Sequence, residues 1–276
     1  MNEHPIQTRS QLMLTSRAGV CAPSQLVTER IRSYWNEHIH DLKIARHPCG
    51  SKEFFDDIEA YRFDKLEYLP KVIGYASYEG KRLLEIGCGI GIDLVRFARN
   101  GAIVTGIDLA ENAIELARRN FSFHSVSGDL QVMDGEQLRF PDNSFDAAFV
   151  HGVLQYTRDP TRMIREVRRV LKPGGEAILM VYNRYSWLNL LAKLFAVKLE
   201  YADAPVFKKY SIAEFRNAFH GFSLVEIIPE RFPVRTRLHI GIKASLYNTF
   251  FVDAFNLIPR PLVRPFGWHL IAKVVK

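Results

Sequence analysis

The sequence predicts an α/β protein in which a doubly wound, mostly parallel sheet follows an N-terminal helical segment. From residue 80 to residue 182, short apolar runs alternate with amphipathic segments, the pattern of parallel strands joined by helical crossovers. Residues 23–79 contain helix signals and no strand signal. With 276 residues, 47% of them hydrophobic, the chain is long enough for one large domain with additions.

The segment before the sheet is predicted to form a helical cap over residues 23–79. Ser51 suits a helix N-cap with Glu53 in the first turn, and Pro70 suits the first turn of a shorter helix. Residues 1–22 lack the compact apolar core of a secretory signal, and we expect a disordered tail there.

The first part of the sheet is predicted from five short apolar runs, which are residues 82–86, 102–108, 130–134, 145–150 and 176–182. Between them the apolar spacing predicts helices over 93–100 and 111–120. A third helix begins at Asp159-Pro160 and is stopped by Pro173-Gly174-Gly175.

The end of the chain follows a different pattern. Ser211 and Glu214 form a capping box that predicts a helix to about residue 220. The runs 222–228 and 268–275 predict two last strands that pair antiparallel at the sheet edge. We therefore expect one domain over 80–276, with insertions at about 184–210 and 231–266.

The net charge of +7 is concentrated at the end of the chain. Residues 231–276 contain eight basic residues and one acid, so the basic and acidic residues elsewhere balance. A general nucleic-acid surface is therefore not indicated. Three scattered cysteines fit a reducing, cytoplasmic setting, and no apolar run reaches the roughly 20 residues needed to cross a bilayer.

A glycine-rich turn follows the first predicted strand. Its pattern is E-x-G-x-G-x-G, with Glu85 followed by Gly87, Gly89 and Gly91. Glycines at the carboxyl end of a strand allow a ligand to lie against the backbone and the next helix N-terminus. Ile92 stands where a dinucleotide-binding fingerprint requires its last glycine, so the turn does not match a nicotinamide site. Asp108, at the end of the next strand, suits hydrogen bonds from both hydroxyls of a ribose.

Four linked motifs give the chain a family resemblance. They are LLEIGCGIG, GIDLAENAIELAR, VMDGEQLRFPDNSFDAAFVHGVLQY and VRRVLKPGGEAILMV. In this order and spacing they resemble class I S-adenosylmethionine-dependent methyltransferases, especially the small-molecule branch that includes quinone methylases. The resemblance implies a seven-stranded Rossmann-like sheet with an antiparallel last strand, and S-adenosyl-L-methionine as cofactor.

The same resemblance implies roles for individual residues. Glu85 and the glycines Gly87, Gly89 and Gly91 would shape the methionine end of the cofactor site. Further cofactor contacts fall on Asp108 at the ribose, Leu109, Asp134 and Gly135 around the adenine, and His151 and Gly152 near the sulfonium. His151 is also the candidate catalytic base. The N-terminal helices of this family commonly cover the cofactor, which makes Tyr34 and Arg62 candidate contacts.

The segment HIHDLKIARHPC places His38, His40, His47 and Cys49 close together in sequence. Helix positions two residues apart point to different sides, and no second half-site follows, so we expect no metal site here. For His151, a role in shaping the pocket through its backbone is an alternative to catalysis.

We therefore predict a methyltransferase acting on an apolar or aromatic small molecule, by O- or C-methylation. The alternatives are a nucleic-acid methyltransferase and a non-catalytic partner subunit of the same fold. The segment 246–258 carries a helical apolar stripe formed by Leu246, Phe250, Ala254 and Leu257. This stripe either closes the substrate pocket or, with its basic neighbours, lies peripherally on an anionic membrane.

Overall fold

The computed structural model describes residues 23–39, 42–194, 199, 201–233, 249 and 252–276. The predicted tail 1–22 lies outside the described residues, as do Leu246 and Phe250 of the predicted helical stripe. Within the described part, the chain forms one seven-stranded sheet flanked by helices.

The strands occur at the places that the apolar runs predicted. They are β1 (Arg82–Ile86), β2 (Ile103–Asp108), β3 (Asp129–Val132), β4 (Phe145–His151), β5 (Leu171–Tyr182), β6 (Leu224–Glu230) and β7 (His269–Val275).

The helices of the described residues are numbered in chain order, and the first three precede the sheet. They are α1 (Pro23–Glu37), α2 (Lys52–Lys65), α3 (Leu69–Ile73), α4 (Ile92–Arg99), α5 (Glu111–Phe123), α6 (Pro160–Val170), α7 (Trp187–Leu194), α8 (Ile212–Asn217), α9 (Val252–Asn256) and α10 (Arg260–Val263). Ser51 caps α2 through Phe54 N, and Ser211 with Glu214 forms the predicted capping box of α8.

The strand order across the sheet is β3-β2-β1-β4-β5-β7-β6. The first five strands in this order are parallel, while β7 runs antiparallel to both β5 and β6. The order reverses between β1 and β4, and open α/β sheets bind ligands at the carboxyl ends of strands at such a point. The doubly wound, mostly parallel sheet with one antiparallel strand is confirmed.

Alternating side chains divide the core into two layers, one on each face of the sheet. On β1, Leu83 packs with α4, α5 and the cap, whereas Leu84 packs with α6 and α8. Phe149 and Val150 repeat this division on β4. Helices therefore cover both faces, which explains why the strands read as continuous apolar runs.

Three predicted boundaries were wrong by three residues or more, one of them the end of α5, which is Phe123 rather than residue 120. The strand β5 begins at Leu171 rather than 176, because Pro173-Gly174-Gly175 lies within it at a register shift against β4 and does not separate it from α6. The helix α8 ends at Asn217, three residues earlier than expected. Local turn signals do not reveal such a bulge, since it depends on pairing with β4.

The residues before the sheet form α1, α2, α3 and short 3-10 turns, and none of the described residues between 23 and 79 is in a strand. Asn36 of α1 accepts a hydrogen bond from Asn112 N at 3.1 Å and donates one to Glu111 at 2.7 Å. These contacts attach α1 to the start of α5. Of the helices in the described residues, none is long and apolar enough to cross a membrane.

Candidate functional site

A cleft lies at the carboxyl ends of β1, β2 and β4, with the cap helices α1 and α2 over it. We call it the central cleft. Every predicted cofactor residue except Gly91 lines it. Its walls also include residues that the sequence did not single out, which are Trp35, Lys65, Asp93, Met180, Tyr182, Arg231 and His269.

The glycine turn has the backbone shape that only glycine adopts freely. Gly87, Gly89 and Gly91 have φ angles of 69°, 54° and 77°. A Cβ built on Gly87 would meet Val153 Cγ2 at 2.3 Å, whereas one on Gly89 would meet no atom within 4 Å. Gly89 therefore faces open cleft, and the turn leaves room there for a ligand beside the backbone.

Gly91 has a different role from the predicted one. It precedes α4 and faces α5, where an added Cβ would lie 3.3 Å from Phe121 and 3.4 Å from Ala117. The structure does not bring Gly91 to the cleft. Its missing side chain allows α4 and α5 to approach each other closely, which the sequence pattern does not distinguish from ligand binding.

Asp108 ties the end of β2 to the glycine turn. Its Oδ2 accepts a hydrogen bond from Gly89 N at 2.9 Å, and its Oδ1 accepts one from Ala110 N at 2.9 Å. Burial raises the pKa of the Asp108 carboxyl above its ordinary value, although these backbone donors oppose the rise. The carboxylate is thus fixed in orientation at the predicted ribose position.

Three charged side chains meet beneath the cap. Arg62 of α2 forms an ion pair with Asp93 of α4, which is 4% exposed and also accepts a hydrogen bond from Tyr75 Oη at 2.6 Å. Glu85 lies nearby, buried, and its Oε2 has no hydrogen-bond partner. Burial raises the pKa of the Glu85 carboxyl well above its usual range, and the Asp93 charge raises it further. An unsatisfied buried carboxyl of this kind indicates a place for a cationic or donating ligand group.

His151 contacts the same arginine at the end of β4. Arg62 Nη2 lies 3.3 Å from His151 Nδ1, and a guanidinium only donates, so Nδ1 accepts. The neutral ring then carries its proton on Nε2. In this arrangement His151 is a hydrogen-bond donor, and the predicted role as a catalytic base would require Arg62 to release Nδ1.

The predicted adenine side has a well-defined turn. Asp134 Oδ1 accepts a hydrogen bond from Glu136 N at 2.8 Å, which orients the side chain. A Cβ on Gly135 would meet Ile86 and Met163 side-chain atoms at 2.7 Å, so the backbone packs closely there. Leu109 lines the cleft between this turn and Asp108. These residues and Gly152 all line the central cleft.

The sequence did not predict the end of the cleft that contains His269 and Arg231. His269 of β7 is 2% exposed, hydrogen-bonds to Tyr68 Oη through Nδ1, and stacks on Tyr182 with ring centroids 5.6 Å apart. Arg231 Nη1 lies 3.1 Å from His269 Nε2. The signal available in the sequence was a histidine inside an otherwise apolar last strand, but only the antiparallel pairing of β7 with β5 places it beside His151.

Of the two cap residues suggested as cofactor contacts, only Arg62 lines the cleft. Tyr34 instead donates a hydrogen bond from Oη to Asp203 at 3.0 Å, and its neighbour Trp35 lines the cleft. In the histidine-rich segment, His40 lies outside the described residues. His47 Nδ1 lies 2.9 Å from Asp57 Oδ2, and His38 stacks on Tyr34.

Comparison with known proteins shows which sequences and folds this chain resembles. Residues 84–179 match the sequence model of a family described as "Methyltransferase domain". These residues run from β1 through β5 and include the glycine turn, Asp108 and His151. Residues 84–179 therefore resemble a methyltransferase domain.

The chain is also similar in sequence to two proteins named ubiquinone biosynthesis O-methyltransferase. The one from Alkalilimnicola ehrlichii is 31% identical over 170 residues, covering 58% of this chain and 65% of that protein. The one from Xanthomonas oryzae is 39% identical over 121 residues, covering 44% of this chain and 49% of that protein. The chain thus spans less than two thirds of the length of either relative.

Solved structures share the fold at low sequence identity. An S-adenosylmethionine-dependent methyltransferase from Mesorhizobium loti has a TM-score of 0.55 and 21% identity, covering 78% of this chain and 100% of that one. Magnesium protoporphyrin IX methyltransferase from Synechocystis, solved with bound S-adenosylhomocysteine, has a TM-score of 0.57 and 16% identity, covering 89% of this chain and 98% of that one.

The two glycines of the turn give a prediction on stability. Both Gly87→Ala and Gly89→Ala place a side chain at positive φ, which costs roughly 1–2 kcal/mol. Gly87→Ala adds the clash with Val153, and overpacking of this kind costs about 1–3 kcal/mol. Urea denaturation is expected to show a lower free energy of unfolding for Gly87→Ala than for Gly89→Ala. Equal values, or the reverse order, would contradict the geometry of the turn.

Proposed function

We propose that the protein is a methyltransferase that binds S-adenosylmethionine in the central cleft and methylates an apolar or aromatic small molecule. The observation that supports this most is the pairing of the Gly89 backbone with Asp108 at the reversal point of the sheet. It combines open space beside a glycine with a fixed carboxylate, which suits a nucleoside ribose.

The described residues fit this cofactor along its whole length. Asp134, Leu109 and Asp108 all line the cleft, where the first two would meet the adenine and Asp108 would bind the ribose. At the methionine end, the unsatisfied Glu85 carboxyl suits the ammonium group, and Arg62 suits the carboxylate. Loss of the Glu85 proton when an ammonium approaches would satisfy a carboxyl that is otherwise buried without a partner.

Methyl transfer from a sulfonium requires alignment of the acceptor atom more than activation of the methyl group. When bound, the sulfonium cofactor supplies an electrophilic methyl group, and the protein holds an acceptor atom in line with it. Trp35, Tyr156, Met180 and Tyr182 provide an apolar and aromatic wall for such an acceptor. The Nε2 proton of His151 orients an acceptor oxygen by donating to it.

The named relatives support an oxygen acceptor on a small molecule. Both alternatives from the sequence are less well supported: a nucleic-acid substrate has no counterpart among these relatives, and the intact cleft residues do not favour a non-catalytic subunit.

The ribose contact is tested by a double-mutant cycle on the cofactor product. Asp108→Ala is expected to weaken S-adenosylhomocysteine binding about ten-fold or more, since hydrogen bonds to a charged group contribute about 1.5–3 kcal/mol. Calorimetry with S-adenosylhomocysteine and its 2′-deoxy analogue distinguishes loss of the hydrogen bond between the ribose and Asp108 from a general distortion of the loop. The wild-type protein should discriminate between the two ligands, and Asp108→Ala should not. Equal discrimination between the two ligands in both proteins would contradict a hydrogen bond between the ribose and Asp108.

A second proposal is peripheral contact with the anionic surface of a membrane on the cytoplasmic side. In the described part of the basic C-terminal region, Leu257 is 85% exposed and Leu262 is 65% exposed, next to Arg260 and Arg264. In the predicted stripe, Ala254 and Leu257 are both exposed, so this part does not pack on the sheet. Exposed apolar residues among cations favour a lipid interface.

Vesicle co-sedimentation tests the membrane contact. The protein is expected to bind phosphatidylglycerol vesicles at low salt and to be released at high salt, because each basic residue near the surface contributes about 1 kcal/mol. The double substitution Leu257→Ser, Leu262→Ser should weaken binding to the vesicles. The control Ile103→Ser should not weaken it, because Ile103 is an exposed residue at the start of β2, at the end of the strand away from the cleft. Equal binding to phosphatidylglycerol and phosphatidylcholine would contradict the proposal.

A further inference from the structure

Arg231 holds a strained backbone position beside the cleft. It follows β6 with a φ of 59°, in the left-handed region that is unfavourable for a residue with a long side chain. Two hydrogen bonds to its carbonyl maintain this conformation, one from Trp268 N at 3.2 Å and one from Trp187 Nε1 at 2.9 Å. The side chain of this strained residue lines the central cleft.

The charge of Arg231 is not neutralised by a carboxylate within the described residues. Its Nη1 instead contacts the imidazole of His269, 3.1 Å from Nε2. The adjacent Glu230 carboxyl accepts a hydrogen bond from the Arg231 backbone, and the positive charges of Arg260 and Arg264 act on it. Residues 234–248, which follow directly in sequence, contain no aspartate or glutamate. By contrast, Arg62 in the same cleft has Asp93 as its partner.

The imidazole beside Arg231 is neutral. Arg231 donates to Nε2, so the proton of the neutral ring is on Nδ1, which donates it in a hydrogen bond to Tyr68 Oη. Burial lowers the pKa of His269 well below its usual range, and the positive charge of Arg231 lowers it further. His269 therefore orients the guanidinium without supplying a negative charge.

The charges are divided along the cleft. Asp108 and Asp134 line the part assigned to the nucleoside, and Asp93 is paired with Arg62 in the middle. Arg231 lies at the other end, separated from Arg62 by the rings of His269 and His151, whose centroids are 5.7 Å apart. The guanidinium is thus set apart from the part of the cleft that suits the cofactor.

We propose that the methyl acceptor is a planar, aromatic acid whose carboxylate binds the Arg231 guanidinium. A guanidinium offers a planar pair of donors that matches a carboxylate, and such charge-assisted pairs are stronger than neutral hydrogen bonds. The inference rests on the proposed function, since it assigns the acceptor class for the same cleft.

The test compares two catechols that differ in charge. Calorimetry measures the binding of 3,4-dihydroxybenzoate and of neutral 4-methylcatechol to the protein saturated with S-adenosylhomocysteine. The wild-type protein is expected to prefer the carboxylate by about ten-fold. Arg231→Gln should abolish the preference, and Arg231→Lys, which keeps the charge but loses the fork, should retain part of it. Arg260→Gln, which removes a nearby cation outside the cleft, should leave the preference intact.

Three results would overturn the inference. They are equal binding of the two probes to the wild-type protein, a preference that survives Arg231→Gln, and failure of both probes to bind. A loss of S-adenosylhomocysteine affinity in Arg231→Gln as large as the loss for the acid would place Arg231 at the cofactor instead. If the wild-type protein does not bind S-adenosylhomocysteine at all, the proposed function itself fails, and the inference fails with it.

Discussion

The ion pair between Arg62 and Asp93 is the interaction on which the architecture of the cleft depends. It joins the cap helix α2 to the first turn of α4, directly after the glycine turn, and both side chains are largely removed from water. Tyr75 and His151 contact the same pair, so four elements meet at one point. Removing one partner of such a pair leaves a buried charge and costs about 3–5 kcal/mol. The cap is therefore held over the sheet by polar contacts that also form the floor of the site.

The two ends of the cleft differ in their chemistry. The parallel strands β1, β2 and β4 present glycines and carboxylates that suit a nucleoside and an amino acid. The antiparallel strand β7 brings His269 to the same edge, where Arg231 and Tyr182 complete a cationic and aromatic end. In the proposed reaction a methyl group passes between the two ends, and His151 lies at their boundary. The proposal thus assigns the methyl donor and the acceptor to opposite sides of one histidine.

The sequence predicted the parallel part of the fold well, because apolar runs, caps and glycine turns are local signals. It also identified Asp108 and the cleft-lining glycines, which follow strands directly. It missed what depends on long-range pairing: the partner of Asp93 is 31 residues away, and His269 reaches the cleft only through the register of β7 with β5. Gly91 was assigned to the cofactor because a pattern of glycines does not show which one faces a helix and which one faces open space.

Hydrogen–deuterium exchange with and without S-adenosylhomocysteine tests most directly whether this cleft is a cofactor site. The account predicts that the ligand slows amide exchange in peptides covering the glycine turn and the residues after β2, because their N–H groups become covered and fixed. Exchange in α8, on the far face of the sheet, should not change. Unchanged exchange at the glycine turn in the presence of saturating ligand, or protection confined to other regions, would contradict the account.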